Sequence, residues 1–115
     1  MVVLSVDCLF DAAVRIMVQE RSISITFSPE SISIKFPTTR RLAEFLEVPH
    51  YYILPYFAMM EQEELVTRAE RVGILTTPKG SEKLIALMQA GYPQETREIL
   101  GTTIFSELTY RPGLQ

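Results

Sequence analysis

Side chains able to do covalent or metal chemistry are few in this chain and far apart. His50 is the only histidine and Cys8 the only cysteine. They are two soft ligands on distant segments, whereas a structural zinc site needs four. A nucleophilic Cys–His pair must sit within hydrogen-bond reach, and nothing in the sequence brings these two together. Glu61, Glu63 and Glu64 cluster, but at a helix end they read as solvent-facing charge and not as a paired acid and base. No glycine-rich run is present to cradle a phosphate. The expectation is no catalytic residue, no metal and no cofactor, in a chain that is not an enzyme. The chemistry left to hydroxyls, arginines and tyrosines is that of contact.

Such contacts must be positioned by a fold, and the bulk composition bounds which. A chain of 115 residues, 47% hydrophobic and 22% charged, has the length of one domain and the make-up of a globular one. Its apolar stretches are broken by polar residues short of a membrane-spanning length, so no membrane partner is expected. The start, Met1-Val-Val-Leu-Ser-Val-Asp7, carries no basic region ahead of its apolar residues, unlike a secretory signal. A single thiol suits a reducing compartment, and a cytoplasmic location is the expectation. The formal charge of −3 runs against long-range steering toward phosphates, which favours a basic protein.

Hydrophobic periodicity then divides the chain. Leu9, Phe10, Ala13, Ile16 and Met17 recur at helical spacing and predict a helix over Val6 to Glu20, capped by Ser5 or Asp7. From Ser22 the period drops to two. Ser22 to Phe27 and Ser31 to Phe36 both alternate polar and apolar residues, and folding them about Ser28 to Ser31 sets Phe27 against Ile32, Ile25 against Ile34 and Ile23 against Phe36. The helical period returns after Thr38. One helix runs through Arg40 to Leu46 behind a Thr38 or Thr39 cap. A second lies between His50 and Glu64 with Ile53, Phe57 and Met60 inward; Pro55 requires it either to start late, near Leu54, or to bend. The methionines, Met59 and Met60 among them, read as core filler. Leu65 to Arg68 and Ile74 to Thr77 form a second hairpin. Thr77-Pro78 caps and opens another helix that ends near Gly91. A last helical segment from Pro93 would carry Ile99, Leu100, Ile104, Phe105 and Leu108 as an apolar stripe, interrupted by Gly101.

Four pieces of this chain together resemble a known family. Thr39-Arg-Arg-Leu-Ala-Glu-Phe-Leu-Glu-Val48 is similar to the T-x-x-L-A-x-x-L-x-V first helix and turn of helix-turn-helix regulators. Ile53, Phe57 and Met60 fall where their second helix buries its apolar side. Glu61-Gln-Glu-Glu-Leu-Val-Thr-Arg68 resembles the E-x-x-G-L-V-x-R that leads into a wing, with Glu64 in place of the glycine. Ile74-Leu-Thr-Thr-Pro-Lys-Gly80 resembles the L-T-x-K-G that closes the wing in MarR-like and related archaeal regulators.

The resemblance implies an α+β fold: a winged helix-turn-helix, with a three-helix core and a β-wing, an added N-terminal β-hairpin and a C-terminal helix. The winged helix domain would span residues 1–92, with the helix-turn-helix at about 38–64 and the wing at about 65–77. Residues 93–115 would form a helix and tail serving as a dimerisation segment. The implied function is a DNA-binding transcriptional regulator acting as a homodimer on double-stranded DNA. The resemblance places phosphate contacts at Thr38, Thr39, Arg40, Arg41, Arg68, Arg71 and Lys79. It places base-reading residues on the second helix at His50, Tyr51, Tyr52 and Tyr56. That helix departs from a typical reader, because paired hydrogen bonds to base edges come from Arg, Lys, Gln, Asn or Ser, and no Arg or Lys lies between Arg41 and Arg68. The alternative implied by the aromatic helix and the acidic balance is a winged-helix module that binds protein within a larger complex and does not bind DNA directly.

Overall fold

The first helix, α1 (Val6–Glu20), starts where Ser5 accepts the Cys8 amide at 3.0 Å and ends on Arg21 in the left-handed conformation. Those are standard ways of satisfying helix ends. One face of α1 is wholly buried, from Leu9 and Phe10 to Ile16 and Met17. It contacts each of the later helices in the core. The computed structural model describes residues 3–29, 32–101 and 104–105.

After α1 come strands β1 (Ile25–Phe27) and β2 (Ile32–Phe36), then helices α2 (Thr39–Leu46) and α3 (His50–Gln62). Strands β3 (Val66–Ala69) and β4 (Gly73–Thr76) follow, and helices α4 (Pro78–Gly91) and α5 (Pro93–Leu100) close the described chain. The fold of the described residues is thus α+β, five helices with one antiparallel sheet of strand order β1-β2-β4-β3. The arrangement is compatible with a winged helix. No helix among the described residues is long and apolar enough to cross a membrane.

The first hairpin takes the register that alternation demands, with Ile25 opposite Ile34 and Phe27 opposite Ile32. Of the turn expected over Ser28 to Ser31, residues 30 and 31 lie outside the described residues. The hairpin is not a separate flap: β2 pairs with β4 through Lys35–Leu75 and Phe36–Ile74, so it extends the sheet of the second hairpin. Beyond Lys35–Leu75 the ladder is continued by side chains. The Ile34 amide donates to Thr76 Oγ1 at 2.9 Å, Thr76 and Ser81 hydroxyls meet at 2.6 Å, and Ser81 donates to the Ile32 carbonyl at 2.5 Å. Thr76 and Ser81 are fully buried, and every polar atom of the relay has a partner. Thr76→Val keeps the shape but strands the Ile34 amide and leaves the Ser81 hydroxyl short of a donor. We expect a loss of about 1–3 kcal/mol in urea-unfolding stability, against a negligible change for Thr67→Val on exposed β3.

Helix α3 runs continuously from His50 with Pro55 inside it, so the late-start alternative does not occur. Pro55 and Tyr51 are both exposed, and the carbonyl that loses its intrahelical donor sits in the wet first turn, where water can serve it. The far end of α3 closes with Leu65 donating to the Met60 carbonyl at 2.9 Å and Glu64 at φ +59°. Glu64 holds this left-handed conformation at a steric cost that a glycine would avoid.

The junction between α3 and α4 is knit by backbone. The Thr77 amide donates to the Leu65 carbonyl at 3.0 Å, its hydroxyl donates to the Glu64 carbonyl, and it also caps α4 by accepting the Gly80 amide at 3.1 Å. Helix α5 packs on α4 and α1, and Leu100 lies against the core. Gly101 ends α5 at φ +85°; Leu108 and the rest of the expected stripe beyond Phe105 lie outside the described residues.

Candidate nucleic-acid interface

The candidate contacts sit on three elements: the start of α2, the first half of α3, and the β3–β4 hairpin. Thr38 caps α2 by accepting the Arg41 amide at 3.1 Å. Thr39 Oγ1 meets His50 Nε2 at 2.8 Å, which ties the first turn of α2 to the first residue of α3. Two helix starts are therefore held side by side, and the amide ends of helices are where phosphates are best received. Arg40 is exposed beside them, in a cleft it lines with Glu44, Glu47 and His50.

The two neighbouring arginines diverge. Arg40 faces the α3 side, while Arg41 turns to α1 and bonds Glu20 at 2.9 Å. On the hairpin, Arg68 reaches back to Glu61 on α3 at 3.4 Å and lies 4.9 Å over the Phe57 ring. Lys79 donates to the Glu63 carbonyl at 3.1 Å and so belongs to the base of the hairpin. Arg71 sits at the hairpin tip at φ +68°, exposed. Of the basic residues anticipated as phosphate contacts, only Arg40 and Arg71 carry no ion pair or hydrogen bond among the described residues. The exposed pairs are individually weak. Their effect is on local charge: Arg41 and Arg68 each come with a carboxylate alongside.

The outward side of α3 is apolar. Tyr51 and Tyr52 are 65% and 49% exposed and contact each other edge to face at 4.8 Å. Leu54 and Met59 are 42% and 45% exposed, and Pro55 and Ala58 are also exposed. Tyr56 is half-buried, and His50 is half-buried and engaged with Thr39. Apart from phenolic hydroxyls, this surface offers no side-chain donor until Gln62. Met59 corrects the expectation of core filler: Met60 is buried but Met59 is not. The signal was present, because positions 53, 57 and 60 define one helical stripe and 59 lies about 100° off it. Past Met59 and Tyr56 the apolar surface runs into an open groove of about 760 Å³, walled by Leu4, Val6 and Ala86.

Among the described residues no three His, Cys, Asp or Glu side chains gather where a metal could be held. Cys8 is half-buried and unpaired on α1, far in the fold's order from His50, whose Nε2 is taken by Thr39. No family model, curated protein or solved structure matches this chain, so its function is read from the residues of the site themselves.

Proposed function

We propose that the chain is a cytoplasmic winged helix-turn-helix regulator that binds double-stranded DNA, with α3 entering the major groove and the β3–β4 hairpin reaching the flanking backbone. One observation supports this above the others. The Thr39–His50 bond at 2.8 Å holds the starts of α2 and α3 together with Arg40 beside them, a phosphate-receiving corner next to an exposed helix. Arg71 at the hairpin tip supplies a second, separate backbone contact. Between them, Tyr51 and Tyr52 can pack on thymine methyls and donate to phosphates. Such a protein reads sequence through methyl contacts and duplex shape more than through paired hydrogen bonds to bases.

A second reading is favoured by a specific observation, the exposed apolar side of α3 from Tyr51 to Met59. Exposed aromatic and aliphatic clusters are typical cores of protein interfaces, and the arginines that flank α3 in sequence are accompanied by Glu20 and Glu61. On this reading α3 docks on another protein. Selection by the full chain from a random duplex pool separates the two. The DNA reading predicts enrichment of a thymine-containing motif that Tyr52→Ala alters; no enrichment, with a stoichiometric protein partner recovered from cell extract and lost on Tyr51→Ala/Met59→Ala, supports docking.

A further inference from the structure

His50 is the only histidine of the chain, and imidazole is the side chain whose charge changes between about pH 5 and 8. Its ring is half-buried between the starts of α2 and α3, with Nε2 held by Thr39 Oγ1 at 2.8 Å. A hydroxyl suits either state of the ring. It donates to Nε2 when the imidazole is neutral with its proton on Nδ1, and it accepts from Nε2 when the ring is imidazolium. The tie between the two helices therefore survives a change of charge. What changes is the field in the cleft.

The charged groups that line this cleft with the ring come from α2 and its C-cap: Arg40, Glu44 and Glu47, all exposed. Tyr51 and Tyr52, next along α3, are its other titratable neighbours. With a neutral ring, two carboxylates outnumber one guanidinium, and the cleft opposes a phosphate that Arg40 alone must attract. With an imidazolium the charges match. Two cations then stand at the corner where the duplex backbone would lie.

Resting on the reading of this corner as a phosphate site, we propose that duplex binding takes up a proton at His50, so that pH sets affinity. The sign follows from linkage. A phosphate at the corner favours the imidazolium, so the bound protein holds more protons than the free one, and by reciprocity a higher proton concentration tightens binding. The gain is present at the acid end of the imidazole range and is lost as pH rises through it.

With the full chain and a fluorescent mixed-sequence duplex at constant ionic strength, affinity should be roughly fivefold or more higher at about pH 6 than at about pH 8. His50→Gln, whose amide can still meet Thr39, should bind with an affinity that is flat over that range. Calorimetry in two buffers of different ionisation enthalpy should show proton uptake by the wild type that the variant lacks. Because the chain has a single histidine, its ring signals in NMR spectra are unambiguous, and duplex added at fixed pH should move them toward the imidazolium position. No duplex binding at any pH would overturn the DNA reading and this linkage together. Binding indifferent to pH, a pH profile that survives in His50→Gln, or ring signals that duplex leaves in place would overturn the linkage alone.

Discussion

Gly80→Ala is expected to destabilise the protein by roughly 3 kcal/mol or more, the upper range for forcing atoms into a packed site. A Cβ at Gly80 would lie 1.8 Å from the Leu65 carbonyl oxygen and 2.8 Å from its carbon. Neither can yield easily. That carbonyl accepts the Thr77 amide at 3.0 Å, and Leu65 is itself buried and bonded to Met60. Separating Gly80 from Leu65 would break the Thr77 cap and open the base of the hairpin that carries Arg68 and Arg71. Gly91 is the internal contrast. It lies in the same helix, and a Cβ there meets nothing within 4 Å, so Gly91→Ala should leave stability unchanged or raise it by up to about 1 kcal/mol through better helix propensity. Thermal and urea unfolding of the two variants side by side measure the difference. Equal effects would show that the close approach of α4 to Leu65 is not as described.

Charge reversal at Arg40 and Arg71 together is expected to have the largest effect on DNA binding, a loss of about 10- to 100-fold near physiological salt, since a phosphate that no cation neutralises keeps its condensed counterions and the entropy of their release is forgone. These two cations are exposed and have no carboxylate bonded to them among the described residues, although Arg40 shares its cleft with Glu44 and Glu47. Arg68→Gln should cost less, because Glu61 already offsets that guanidinium at 3.4 Å. Arg41→Gln should cost less again, its side chain being held toward α1 by Glu20. Ranking all four by anisotropy on one duplex tests the assignment. A uniform loss across them would mean that local pairing does not decide which cations act.

Much of the scaffold was legible because it is written in short-range pattern. The limits of α1, the Thr77-Pro78 opening of α4 and the Ile25–Ile34 register follow from periodicity and capping, which act over a few residues. The attachment of the first hairpin to β4 was not legible. It rests on Thr76 and Ser81 hydroxyls meeting Ile34 and Ile32 across more than forty residues of chain, and each of these residues looks ordinary on its own. The same limit applied to the site. Spacing put Arg40, Arg41, Arg68 and Lys79 on plausible elements, but Glu20 lies 21 positions before Arg41, and no local pattern reveals that pairing. The positive φ of Glu64 was not legible either; it is a property of the turn after α3. Met59 shows the opposite case, a position whose exposure the helical stripe already implied.

Salt dependence of DNA binding is the most direct measurement of the central claim, that the corner formed by the starts of α2 and α3 receives duplex phosphates. With the full chain and a selected duplex, log affinity should fall linearly with log salt between roughly 50 and 200 mM, and Arg40→Gln should make that slope shallower by about one. Absence of binding at the lowest salt, or a slope that Arg40→Gln leaves untouched, would contradict it and leave the apolar side of α3 as a surface for protein.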